Sequence, residues 1–505
     1  MKLNNNSDQT LNSILSKHKE YLLVGLILLL AFIIRMGILL HTVDFHGISN
    51  GRILEAQMIL NDPLNLKLWV PVHPPGHILF VIIGIKLFGS FFAISRIISL
   101  GFGMMTILIS YLYLKQVFNK QIALFSILAI SLYSAHIVYS IIGTSETMFH
   151  FFLFLSLYLY EQFKRKSNLS LLYLFGLSVG FASMCRYEGL LLIPFYLFFL
   201  RKSKINIMGF ISFALLFPLA WMLVNYLAFG SPIEFLASNN FIVPQQINWI
   251  RDNGFNIDFI YKFLFWPKAM ISTLGIAVFV FGWLGLIYAQ LNRQANVLGG
   301  LFIVLFAIFV INTLREMLYL QPRYGITLGL MLIPFSVYCF MKVIEKIDSR
   351  IPRWTVLILL WTMIIPIGSQ VLGSSLFAPE FAKNTAFYLK ENRNLGSNIM
   401  IDHCGDEKFR EPIKVLSRID PIYFSLMPVM IDENNDYVID QEKFFKMIEN
   451  NNIETLVYSP YGDLAGILKL NIENIPQQRR NFLFTLKHKN APYYIYDIKK
   501  VKNDK

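Results

Sequence analysis

Six short stretches bring together residue types that could do chemistry. Asp44 follows the first apolar run, with His41 and His46 close by and Arg52, Glu55 and Asp62 further on. A carboxylate held at a membrane surface can take the proton of an acceptor hydroxyl. It can also hold a divalent cation beside a phosphate. The spacing of His41, Asp44 and His46 fits no common metal site, so Asp44 alone is singled out, as a ligand compatible with Mg or Mn. A second carboxylate, Glu146, lies in Gly143-Thr144-Ser145-Glu146-Thr147. It could line the same cavity as Asp44. Alternatively, Thr144 or Ser145 caps a helix whose first turn favours an acid. Arg186-Tyr187-Glu188 interrupts an apolar stretch, and Gln321-Pro322-Arg323-Tyr324-Gly325 opens another. Guanidinium matches phosphate through paired donors; the structural alternative for Arg186 is a local pair with Glu188. His73-Pro74-Pro75-Gly76 reads as a rigid helix start, with His73 able to hydrogen-bond a phosphate or hydroxyl. Arg35, inside the first apolar run, is expected to snorkel or pair internally.

The elements that must position these residues are membrane helices. The 505-residue chain is 55% hydrophobic and only 15% charged, with a mean hydropathy of +0.51. A soluble domain carries about 25% charge. The net charge of +13 does not signal nucleic acid, because the Lys and Arg sit in short clusters between apolar runs, as membrane topology requires. Cys185, Cys339 and Cys404 show neither disulfide nor zinc spacing. About eleven spans are expected: Tyr21–His41, Phe92–Leu114, Ile122–Ile142, Met148–Phe163, Leu169–Met184, Leu190–Leu200, Ile205–Leu227, Ala269–Ala289, Ala295–Thr313, Ile326–Met341 and Trp354–Leu372. The first reads as an uncleaved signal anchor after a cytoplasmic tail, residues 1–20.

The run Gly76–Phe88 is too short to span comfortably. Taken as a juxtamembrane helix, it leaves Lys17, Lys19, Lys115–Lys120, Lys164–Lys166, Arg201, Lys202, Lys204, Arg293 and Lys342–Arg353 on the cytoplasmic side, in line with the positive-inside bias. Asp44, His73, Glu146, Arg186, Glu188 and Arg323 then share the opposite side. The transmembrane domain is residues 21–372, with external loops 42–91 and 229–268. Beyond Leu372 the apolar runs shorten to strand length. Residues 373–505 read as an extracytoplasmic α/β domain: strands at Ile399–Ile401 and Thr455–Tyr458, a helix at Phe444–Asn450, and a hairpin of Phe482–Leu486 with Tyr493–Ile498 turning through Lys487–Asn490.

The order of these motifs resembles the GT-C superfamily of membrane glycosyltransferases, and within it the dolichyl-phosphate-mannose-protein mannosyltransferases and lipid A aminoarabinose transferases. Arg35 comes late in the first span, followed by His73-Pro74-Pro75, Leu87-Phe88-Gly89 and Arg96. Thr144-Ser145-Glu146-Thr147, Arg186-Tyr187-Glu188-Gly189, Gly230-Ser231-Pro232 and Pro322-Arg323-Tyr324 then follow. One departure stands out. The family's first loop carries adjacent acids, whereas the corresponding stretch here is Gly47-Ile48-Ser49-Asn50-Gly51-Arg52. The resemblance implies transfer of a hexosyl or pentosyl unit from a polyprenyl-phosphate donor to a hydroxyl of a protein, polysaccharide or glycolipid, with inversion. It implies Asp44 as base, with Glu146 orienting the acceptor or helping to hold an optional divalent ion. Arg186, Arg323 and His73 would bind the donor phosphate, with Arg35, Tyr187, Glu188 and Tyr324 in support.

Two other readings stay open at this level. A noncatalytic glycolipid-binding subunit would account for the missing acid pair. A lipid or solute transporter would place charges near the middle of its spans, often in two related halves, and no such repeat is seen.

Overall fold

The computed structural model describes residues 5–43, 47–70, 74–89, 92–201, 203–236, 243, 247, 251, 257–318, 320–346, 378–392, 397–403, 407–425, 429–431 and 437–501. Asp44, His46, His73, Cys404 and the expected span Trp354–Leu372 lie outside the described residues. The chain divides into two compact units.

The first unit comprises residues 1–38, 64–77 and 99–372, and its described part is helical. Among the described residues, the α-helices as far as residue 346 are α1 (Asn5–His41), α2 (Gly47–Asn61), α3 (Gly76–Phe88), α4 (Ile94–Val117), α5 (Lys120–Leu132), α6 (Ser134–Tyr139), α7 (Glu146–Lys166), α8 (Leu169–Cys185), α9 (Leu192–Leu200), α10 (Lys204–Ala214), α11 (Leu216–Phe229), α12 (Phe259–Leu274), α13 (Ile276–Leu291), α14 (Asn296–Leu314) and α15 (Gly325–Lys346). Among the described residues, four stretches are long and apolar enough to cross a membrane unaided: His18–His41, Ile94–Val117, Asn296–Leu314 and Pro322–Glu345. Counting two bent pairs as one span each brings the total to six.

Three expected spans are broken. Ile122–Ile142 divides at Tyr133, whose backbone is extended between α5 and α6. Ile205–Leu227 bends by 45° between α10 and α11. Ala269–Ala289 breaks at Gly275, where α12 meets α13 at 114°. Gly275 has φ +81°, a conformation that costs glycine nothing and other residues a good deal. The apolar run continues through the breaks at Leu215 and Gly275, so composition alone suggests continuous helices there. The short run Gly76–Phe88 is a separate helix with the bounds read from the sequence.

The second unit joins residues 39–63 and 78–98 to 373–505. Its sheet has the order β2-β1-β5-β8-β7-β6, from β1 (Asn398–Ile401), β2 (Phe424–Ser425), β5 (Ile453–Tyr458), β6 (Gln477–Arg479), β7 (Phe482–Asn490) and β8 (Tyr493–Lys500). β1 runs parallel to β2 and β5, and the rest is antiparallel. A separate ribbon pairs β3 (Val429–Ile431) with β4 (Tyr437–Ile439). The helices are α16 (Glu380–Asn392), α17 (Glu407–Ser417), α18 (Gln441–Asn450) and α19 (Ala465–Leu468). Phe444, Phe445 and Ile448 of α18 pack on Leu456, Phe484 and Tyr496 of the sheet. The expected hairpin is present, but Lys487–Asn490 continues β7 as strand and the turn falls at Ala491-Pro492.

Within this unit α2 is tied to the α/β part. Asn50 Nδ2 donates to Glu411 Oε2 at 2.9 Å, and Gln57 Nε2 donates to Asp420 Oδ1 at 3.1 Å. Phe92 lies against Phe424, with ring centroids 5.9 Å apart.

Candidate functional site

The first unit gathers Glu146, Arg186, Glu188, Arg323 and Tyr324 into one cluster. Glu146 opens α7. The Ser145 side chain makes no capping bond to that helix, and its backbone is already helical, so the capping account of this motif fails. What remains is an acid at the positive end of a helix dipole. Arg186 ends α8 in an extended conformation. Gly189 lets the next turn fold back, because a Cβ there would lie 2.4 Å from the Ala182 carbonyl carbon. Gly76 does the same for α3: its Cβ would fall 2.4 Å from the Met184 carbonyl oxygen. The His73-Pro74-Pro75-Gly76 motif therefore ends against the backbone two residues before Arg186.

Arg186 Nη1 donates to Glu146 Oε1 at 2.8 Å. Its Nη2 donates to Glu188 Oε1 at 2.9 Å, and its Nε lies 3.2 and 3.3 Å from the two Glu188 oxygens. Arg323 Nε stands 3.7 Å from the same Glu146 oxygen, beyond hydrogen-bond range. Side-chain exposures are 10% for Arg186, 4% for Glu146, 15% for Glu188 and 9% for Arg323. Two cations and two carboxylates balance, as burial demands. Burial works against the charge of Arg186, but Glu188 and Glu146 outweigh it and lift its pKa above the ordinary arginine value.

Both guanidiniums face the Tyr324 ring, at 4.7 Å for Arg186 and 5.4 Å for Arg323. The Tyr324 ring lies 6.5 Å from Trp266 of α12, whose Nε1 donates to Thr313 at 2.8 Å. Tyr187 turns elsewhere and stacks on Phe235, which stacks on Trp221. The consequential detail is Arg323 Nε–H. It is buried and has no hydrogen-bond partner. A buried donor left open calls for an acceptor, and between two guanidiniums that acceptor is an anion. Beyond the cluster, Leu191, Pro194, Phe195, Phe198 and Phe199 with Gly300, Val304 and Ile308 line an apolar groove of about 450 Å³.

Arg35 pairs internally, the second of its two expected courses, and lies outside this cluster. It is fully buried and donates to the carbonyls of Ala31 and Ser131 and to His136 Nδ1. His136 and His150 escaped the sequence reading, because a histidine in an aromatic-rich run reads as packing. Among the described residues, no three His, Cys, Asp or Glu side chains form a metal-holding group. Both guanidiniums approach Glu146 through Oε1.

Residues 72–225 match the family model of dolichyl-phosphate-mannose-protein mannosyltransferase. No curated protein matches by sequence. Among solved structures, the chain is similar to ArnT from Cupriavidus metallidurans at a TM-score of 0.56, with 13% identity over 95% of this chain and 98% of that one. It is also similar to the oligosaccharyltransferase AglB from Archaeoglobus fulgidus, solved with an inhibitory peptide and a dolichol-phosphate. There the TM-score is 0.54, with 14% identity over 88% of this chain and 70% of that one. The motif order and these chain-long likenesses agree: this is a multi-pass membrane chain with the fold of the GT-C glycosyltransferases.

Proposed function

We propose that the protein is a membrane glycosyltransferase that moves one sugar from a polyprenyl-phosphate carrier to an acceptor hydroxyl on the extracytoplasmic face. The observation that carries this reading is the open, buried Arg323 Nε–H beside the Arg186–Glu146–Glu188 network. Such a donor suits a phosphate that gains charge as it leaves. The apolar groove beginning at Leu191, five residues past Arg186, suits an isoprenoid tail. That AglB was solved with a dolichol-phosphate adds support from a protein of like fold.

In the reaction, Asp44 takes the acceptor's hydroxyl proton and the freed oxygen attacks the anomeric carbon. The bond from that carbon to the phosphate oxygen breaks, and its electron pair leaves with the lipid phosphate. One displacement inverts the configuration. Glu146 holds Arg186 in place and orients the acceptor, while His73 adds a hydrogen bond to the phosphate. A Mg or Mn ion beside Asp44 is compatible with this scheme, and no step depends on it. The cytoplasmic N-terminus and extracytoplasmic α/β domain follow from the charge bias.

The test is to incubate purified protein with polyprenyl-phosphate sugars and follow release of free lipid phosphate by mass spectrometry. Asp44→Ala is expected to lose turnover while still binding the donor. The second reading, a glycolipid-binding subunit, is favoured by Asn50, which stands where adjacent acids are expected and donates to Glu411 instead. Folded protein that releases no lipid phosphate from any donor would establish that alternative.

A further inference from the structure

The Glu146–Arg323 contact has a second rung beneath it. His150 follows Glu146 by four residues on α7, and Thr327 follows Arg323 by four on the adjoining helix. Each lies about one turn, roughly 6 Å, further along. His150 Nε2 and Thr327 Oγ1 are 3.0 Å apart, and both side chains are buried. Behind His150 stands His136, with ring centroids 6.0 Å apart. Arginine can only donate, so the 3.0 Å contact from Arg35 Nη2 makes His136 Nδ1 an acceptor, and a neutral His136 then carries its proton on Nε2. Neither His136 Nε2 nor His150 Nδ1 has a hydrogen-bond partner. The bond to Thr327 is thus the polar anchor of the His150 ring among the described residues. Ionisable rings inside a helical membrane bundle are costly and persist where they serve a purpose.

We propose that the His150–Thr327 hydrogen bond is a spacer that sets how closely Arg323 approaches Glu146. Arg186 reaches Glu146 Oε1 at 2.8 Å, whereas Arg323 stops at 3.7 Å from the same oxygen. Opposite charges attract strongly in so buried a setting. The rung below fixes the register of α7 against α15, and the gap above is its consequence. Closing the gap would let Arg323 Nε–H donate to Glu146 and remove it from an incoming phosphate. His150 and Thr327 touch no substrate; they are positioning residues for phosphate binding. This inference rests on the donor reading above.

The probe is a free polyprenyl phosphate without sugar, titrated onto the purified full-length protein, with turnover measured in parallel. Thr327→Val keeps the branched shape and deletes the hydroxyl. It is expected to weaken lipid-phosphate binding about tenfold and to raise the donor KM equally, with kcat within about twofold. Thr327→Ser restores both. The double variant His150→Phe, Thr327→Val is expected to be no worse than Thr327→Val alone, because the two side chains form one contact. Wild-type binding by Thr327→Val, or additive losses in the double variant, would overturn the spacer. A wild-type protein that does not bind the lipid phosphate overturns the donor reading itself, and the spacer with it.

Discussion

Glu146 in the first unit and Glu411 in the second are both buried carboxylates held by two cations, yet they are finished differently. Glu411 Oε1 accepts from Arg410 Nε at 2.8 Å and Lys414 Nζ at 2.9 Å, and its Oε2 accepts from Asn50. Burial alone would raise its pKa, but Lys414 and Arg410 bring it below the ordinary glutamate value. Glu146 takes a full hydrogen bond from Arg186 and only a 3.7 Å contact from Arg323. A cluster that serves the fold uses the donors it buries. The Glu146 cluster keeps one open, Arg323 Nε–H, at a cost in stability.

That contrast can be broken or sharpened by substitution. The largest effect is expected from Arg186→Ala, which leaves Glu146 and Glu188 buried together without their main cation. Roughly 3–5 kcal/mol of stability should go, along with transfer, as read by thermal unfolding in detergent and by lipid-phosphate release. Arg323→Ala should lower the melting temperature less than Arg186→Ala does and cut turnover by roughly 10²–10³, the usual cost of one lost charge-stabilising donor. An Arg323 variant that unfolds early yet turns over normally would reverse its assignment. Glu411→Gln is the complement: about 1–3 kcal/mol of stability lost, with lipid-phosphate binding within twofold of wild type. Transfer abolished at unchanged stability would place the second cluster in the chemistry.

A further effect, read as a slope with pH, concerns Asp402, a third buried carboxylate, which receives backbone N–H groups of Ser459 and Leu464 instead of cations. Burial outweighs those bonds and pushes its pKa up to about 7. The folded state therefore holds a proton that the unfolded chain gives up near pH 4. The stability it contributes is full below pH 4 and is lost as pH rises toward 7, by at most about 1.4 kcal/mol per pH unit. Asp402→Asn should flatten that slope in pH-dependent unfolding; an unchanged slope would assign it to other groups.

The ion cluster was legible because Arg186, Glu188, Arg323 and Glu146 are conspicuous against apolar helices, where charge must be paired or used. The strands at Ile399 and Thr455 and the helix at Phe444 were legible because their apolar spacing changes period. What escaped the sequence shares one physical cause, namely geometry that leaves hydropathy unchanged. The bend at Gly275 sits in an unbroken apolar run. The 3.7 Å gap at Arg323 depends on a histidine and a threonine that look like filler. The turn at Ala491-Pro492 was misplaced because Lys487–Asn490 is polar enough to pass for a loop, while its backbone still pairs with β8.

The corner at Gly275 has one more consequence. Sixteen residues of α13 reach about 24 Å, short of the roughly 30 Å of a bilayer's oily interior. Two rods joined at 114° cannot both stand upright. If α13 stands, α12 runs as a crossbeam, and it carries Trp266, which braces the aromatic floor beneath both guanidiniums. The corner at Gly275 thereby also sets where Trp266 stands against the ring that faces both guanidiniums.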